Sequence, residues 1–104
     1  MSVFEVAVDA LFTDPHLAVA GLYRPGGTDP GIEVRVIHRQ PDRVGAFGQT
    51  RLVAETAVFD LRVSDIAAPV AGDTIEVDGD LFVIQGAPLR DAERLVWTIE
   101  ARPA

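Results

Sequence analysis

Asp78-Gly79 lies between two short apolar runs, residues 74–77 and 81–85, and this arrangement commits the middle of the chain to an antiparallel hairpin. A type I′ turn needs positive φ at both central residues, which Gly takes freely and Asp tolerates. A third run, 95–101, alternates: Leu95, Trp97, Ile99 and Ala101 share one face, and Val96, Thr98, Glu100 and Arg102 share the other. A period of two predicts a half-buried strand with its Trp97 face inward. The stretch 69–101 therefore reads as three strands, and the rest of the chain must supply partners for them.

The N-terminus opens on Ser2 with Glu5 three residues on. That pair is a capping box, so a helix is expected over 2–12, stopped by Asp14-Pro15. Val3, Phe4, Ala7, Val8, Leu11 and Phe12 fall near helical spacing, with Glu5 and Asp9 expected to look outward. A helix this short is marginal alone and must dock. The side bearing Phe4, Leu11 and Phe12 is the candidate docking face, against the rest of the chain or against a neighbouring subunit.

Strands are expected at 18–24 and 32–39, separated by the turn-rich PGGTDPG segment at 25–31. Residues 40–50, QPDRVGAFGQT, read as a long exposed loop whose only large apolar group is Phe47. A long strand at 52–63 follows, with a bend near 54–56. Six strands and one short helix, with no strand–helix alternation, predict an all-β fold: a small antiparallel β-barrel closed to remove exposed edges, one domain over 1–104. The expected core is Phe59, Leu61, Val77, Phe82, Ile84, Trp97 and Ile99.

Composition removes several classes of chemistry. With no cysteine, thiolate zinc sites, iron–sulfur clusters, thiol catalysis and disulfides are excluded. The chain is expected to carry no secretory signal and no membrane span, since Glu5 and Asp9 stand where a basic region would and no apolar run nears ~20 residues. The formal charge is −7, and all nine bases are Arg, scattered along the whole length. Direct sequence-specific nucleic-acid binding is not expected. His16 and His38 have no nucleophile or acid at a meaningful spacing, and neither Ser2 nor Ser64 lies in a nucleophile elbow. Asp73, Asp78 and Asp80 cluster near the hairpin without the spacing of a calcium loop, and Asp at turns has a backbone-bonding role. The glycine pairs do not form phosphate cradles. No catalytic, metal or cofactor residues are assigned, and the chain is not read as an enzyme.

One pattern remains: Pro69-x-x-Gly72-Asp73-x-Ile75-x-Val77-x-Gly79, then Phe82-x-Ile84, Asp91 and Trp97-x-Ile99. With the N-terminal helix, the strand before Pro25 and the long acidic strand, it resembles the small head-tail connector proteins of tailed phages and gene transfer agents, called stoppers or head-tail joining proteins. The resemblance implies a ring in the virion at the head-tail junction, made in the bacterial cytoplasm. Such a ring joins the portal and adaptor complex to the tail terminator and retains or gates the DNA passing through its channel. It implies no catalytic residues and no cofactor, and it is compatible with a monomer in isolation. Stoppers present an internal loop to the channel. Residues 40–50 fit that part, with Phe47 docking on the next subunit and Arg43 and Arg51 flanking it as channel-facing or inter-subunit groups. Alternative readings are a tail terminator or minor tail protein, or a monomeric small-ligand-binding β-barrel, for which a deep apolar pocket would speak.

Overall fold

The computed structural model describes residues 2–39 and 56–104. Helix α1 spans Val3–Thr13 and is followed by β1 at Val19–Arg24, a one-turn 3-10 segment at Pro25–Gly27, and β2 at Ile32–Arg39. The remaining strands are β3 at Ala57–Arg62, β4 at Thr74–Val77, β5 at Asp80–Arg90 and β6 at Val96–Pro103. They form a closed antiparallel barrel in the order β1-β2-β3-β6-β5-β4, with β4 returning to pair with β1. This is the small six-stranded barrel with a short N-terminal helix that the strand pattern predicts. Among the described residues no helix is long and apolar enough to cross a membrane.

Local chemistry explains the connections. Asp78 and Gly79 sit at φ 52° and 84°, the two left-handed positions of the hairpin turn, and pairing begins beside them with Val77 opposite Asp80. The strand expected to end at residue 85 instead runs on to Arg90. Gly86, at φ 71°, lets the backbone take up a bulge, the register shifts between Gln85 and Leu89, and pairing with β6 resumes with Leu89 opposite Thr98. The last strand begins at Val96 rather than residue 95, because Leu95 closes the preceding turn. The bend expected near 54–56 and the strand expected over 52–55 lie outside the described residues apart from Thr56, as does the whole 40–50 loop.

Asp91 organises that turn. Its Oδ1 accepts from the Leu95 and Val96 amides at 2.7 and 3.0 Å, and the backbone bonds, led by that of Val96, hold its carboxyl below the usual value. A lowered folded-state value means that the carboxylate stabilises the fold above the ordinary carboxylate range and that this contribution is lost as pH falls through the lowered value. The melting temperature of Asp91→Asn is therefore expected to fall below the native value at neutral pH and to converge with it as pH falls through that lowered value. A pH-independent difference in calorimetry would contradict this.

The core follows the inward phase of the strands. Phe59, Leu61, Val77, Ile84 and Ile99 are buried together with Tyr23, Val34, Val36 and Ile75. Phe82 and Trp97, expected in the same cluster, are only partly buried and pack against it. Trp97 lies near the start of β6, where its Nε1 donates to the Ile66 carbonyl at 3.0 Å and the Arg90 guanidinium lies 5.2 Å from the indole centroid. Its polar edge has found a partner at the rim, and that keeps part of the indole out of the core.

Candidate docking surface

Helix α1 is held to the barrel at one end. Phe12 is 1% exposed, and the Arg62 guanidinium lies 5.7 Å from its ring centroid. Arg35, on the outer face of β2, donates from Nε to the Phe12 carbonyl at 3.0 Å and from Nη2 to the Ala18 carbonyl at 2.9 Å. One guanidinium thus staples both sides of the 14–17 turn. Arg62 reaches Asp9 at 3.3 Å and Asp65 at 3.2 Å. The capping box forms as the sequence predicts, with Glu5 N donating to Ser2 Oγ and Ser2 N donating to Glu5 Oε1, both at 3.0 Å. That bonding, the Ser2 amide first, lowers the Glu5 carboxyl from its usual value.

The orientation of the helix departs from the expectation. Asp9, expected outward, is drawn to the barrel by Arg62, and Val8 and Asp9 are half-buried beside Phe12. Of the candidate docking residues only Phe12 is buried. Phe4 and Leu11 are 57% and 48% exposed, and Val3 is 82% exposed. At 100° per residue, Val3, Phe4, Ala7, Ala10 and Leu11 fall in an arc of about 120°, turned away from Phe12. All five are exposed. The helix therefore turns an acid inward and an apolar stripe outward, the reverse of a surface helix that serves only its own core.

At the other end of β1 a buried carboxylate ties three segments together. Asp73 accepts from the Tyr23 hydroxyl, from the Gly26 amide at 2.7 Å and from the Val70 amide at 3.1 Å. Burial, and then the hydrogen bond and charge of Asp73, raise the Tyr23 hydroxyl above its ordinary value. Asp73 thus faces Tyr23 and the 25–27 turn, while Asp78 and Asp80 are exposed at the hairpin. Among the described residues no group of three acids or histidines is placed to hold a metal. On the outer face of β3, Asp60 is engaged by Arg39 Nε at 2.9 Å and Thr98 Oγ1 at 3.0 Å.

Among the described residues the barrel interior is filled by side chains. Barrel diameter grows with strand number, and about eight strands are the size at which one small ligand can be held; in this six-stranded barrel Tyr23, Phe59, Leu61, Ile75, Ile84 and Ile99 fill the centre with almost no exposure. Arg43, Phe47 and Arg51 lie outside the described residues. Sequence reasoning missed Tyr23, Arg35 and Arg62: the Asp73 partner of Tyr23 is 50 positions away, the carbonyls that Arg35 holds are 17 and 23 away, and the Asp9 that Arg62 draws in is 53 away, so no local spacing announces these contacts.

What the molecule offers is a solid barrel whose helix presents an apolar surface outward. No curated protein and no solved structure matches the chain. The family model described as phage head-tail attachment protein matches residues 1–101, nearly the entire sequence including the helix, and the chain belongs to that family.

Proposed function

We propose that copies of this protein assemble as a ring at the junction between a phage head and its tail, where they join the portal and adaptor complex to the tail terminator and retain the packaged DNA. Family membership makes the protein a structural component of the head-tail joint. The observation that supports an assembly role in this chain is the outward apolar stripe of α1: a helix moored by Phe12, Arg35 and Arg62 in a fixed pose, with Phe4 and Leu11 left exposed. Such a surface gains by burial against another protein. Residues 40–50, with Arg43, Phe47 and Arg51, are assigned to the channel or to the next subunit on sequence grounds. The net charge of −7 suits a conduit along which DNA slides without being gripped.

The test is genetic and visual. In particles from a strain lacking this gene, electron microscopy is expected to show filled or leaking heads and separate tails, and the native gene should restore joined particles. A Phe4→Asp/Leu11→Asp gene should give folded protein with an unchanged melting temperature, because both positions are solvated, yet reduce joined particles by a factor on the order of 30 or more, the size of a lost hot spot. Full restoration by that variant would remove the docking role from α1, and normally joined particles without the gene would remove the junction role from the protein.

A further inference from the structure

The core of the barrel does not include the helix. Among the described residues the core cluster, from Tyr23 to Ala101, contains no residue of α1, and each strand of the closed wall pairs with two other strands. Phe12 is the only buried residue of the helix. It is buried outside that cluster, with the Arg62 guanidinium 5.7 Å from its ring centroid. Residues 3–7 are all exposed.

Three contacts moor α1, and all of them can be given up without stranding a charge. Arg62 would lose Asp9 but keep both oxygens of Asp65, at 3.3 and 3.2 Å. Arg35 would lose the Phe12 carbonyl but keep that of Ala18 at 2.9 Å. A polar tether is costly to break where it leaves a buried charge unpaired, and here none is left. The third contact is the Phe12 ring, the one apolar anchor. A pivot stands where the helix ends. Asp14 has extended dihedrals, φ −79° and ψ 116°, and element-terminal residues of this kind absorb the change in a hinge. Beyond it the turn closes on itself: Asp14 Oδ1 accepts from the His16 amide at 2.8 Å, and the Asp14 carbonyl accepts from the Leu17 and Ala18 amides at 3.0 and 2.9 Å. The capping box at the far end uses only Ser2 and Glu5, so it travels with the helix.

We propose that α1 is a latched arm: it leaves the barrel as a unit, turning at Asp14 with Phe12 as its latch, while the barrel stays closed. The moored pose is the ground state and the released pose a minor one, reached at a free energy below that of global unfolding. At 100° per residue, Phe4, Val8, Leu11 and Phe12 fall in an arc of about 100°. The mooring divides this face, covering Phe12 and part of Val8 and leaving Phe4 and Leu11 in water. Release joins the four on one exposed face, so the mooring is an autoinhibitory contact, and a surface that engages all four draws the arm open. That consequence rests on the docking role assigned to α1 above; the opening itself belongs to the single chain.

Amide hydrogen exchange on the isolated protein reads the opening directly. Relative to their unfolded rates, the helix amides of residues 7–13 are expected to exchange about a hundredfold or more faster than those of β3 and β6, and through one common opening. Phe59→Leu, or the milder Ile99→Val, weakens only the barrel. Either change should speed exchange in β3 and β6 by up to about tenfold and leave residues 7–13 unchanged. Phe12→Ala should speed residues 7–13 by a factor on the order of 30. If residues 11–13 speed up together with the barrel in Phe59→Leu or Ile99→Val, the helix leaves only when the barrel unfolds, and the arm is overturned. Residues 7–13 indifferent to Phe12→Ala would overturn Phe12 as the latch. Either failure leaves the junction role standing, because that role is read from particles, and loss of the junction role leaves the opening standing in the free chain.

Discussion

Phe59→Ala is expected to cost about 3–5 kcal/mol of stability, read as a lower denaturant midpoint in equilibrium unfolding. Phe59 is completely buried, its ring centroid 4.7 Å from that of His38 and 5.1 Å from that of Phe82. These three side chains form one aromatic layer of the barrel. Strands on every side are tied to both neighbours by hydrogen bonds, so the wall cannot collapse into the space left behind, and the cavity term adds to the lost transfer energy. Phe59→Leu should recover more than half of the loss. A midpoint unchanged in Phe59→Ala would mean that this layer does not exist.

Asp73→Ala is expected to cost roughly 3 kcal/mol, through hydrogen bonds where Phe59 acts through packing. Removing the carboxylate leaves the buried Tyr23 hydroxyl without its acceptor and frees the Gly26 and Val70 amides that fix the loops beside β1 and β4. A buried donor left without a partner costs more than the net value of the bond it lost. Adding Tyr23→Phe to Asp73→Ala removes the stranded hydroxyl, so the double variant should be more stable than the sum of the single changes implies. Strict additivity in a double-mutant cycle would show that Tyr23 and Asp73 do not act together.

Local signals carried much of the fold. The Asp78-Gly79 turn, the Ser2 and Glu5 capping box and the alternation of β6 each rest on chemistry within a few residues, and the barrel follows because six strands with one short helix have few other ways to bury their edges. Features set by distant partners were illegible. The amphipathic pattern of α1 gave its apolar residues but not their direction, because the helix is turned by Arg62, fifty-three positions from Asp9. The GAPL run at 86–89 looked like the end of a strand; only pairing with β6 across a bulge carries β5 past it. Asp73 read as one of several turn acids, and nothing near it in sequence pointed to Tyr23. The candidate site was legible as a list of helix residues, Phe4, Leu11 and Phe12, and the structure divides that list into one anchor and two groups facing solvent.

The order of strands in the barrel also bears on how the chain reaches this state. The hairpin of β1 and β2 and the run of β4 and β5 are made of near neighbours, but β3 forms hydrogen bonds to β6, with Ala57 opposite Ala101, and the wall closes only when Leu22 meets Glu76. Both seams require residues more than thirty positions apart to find each other before any of their bonds reward the search, so the folding rate is set by loop-closure entropy and not by the speed of its hairpins. Because β6 seals β3 and β5 at once, a chain still emerging from the ribosome cannot complete the wall before β6 is free, and the α1 stripe is exposed beside an open sheet throughout that time.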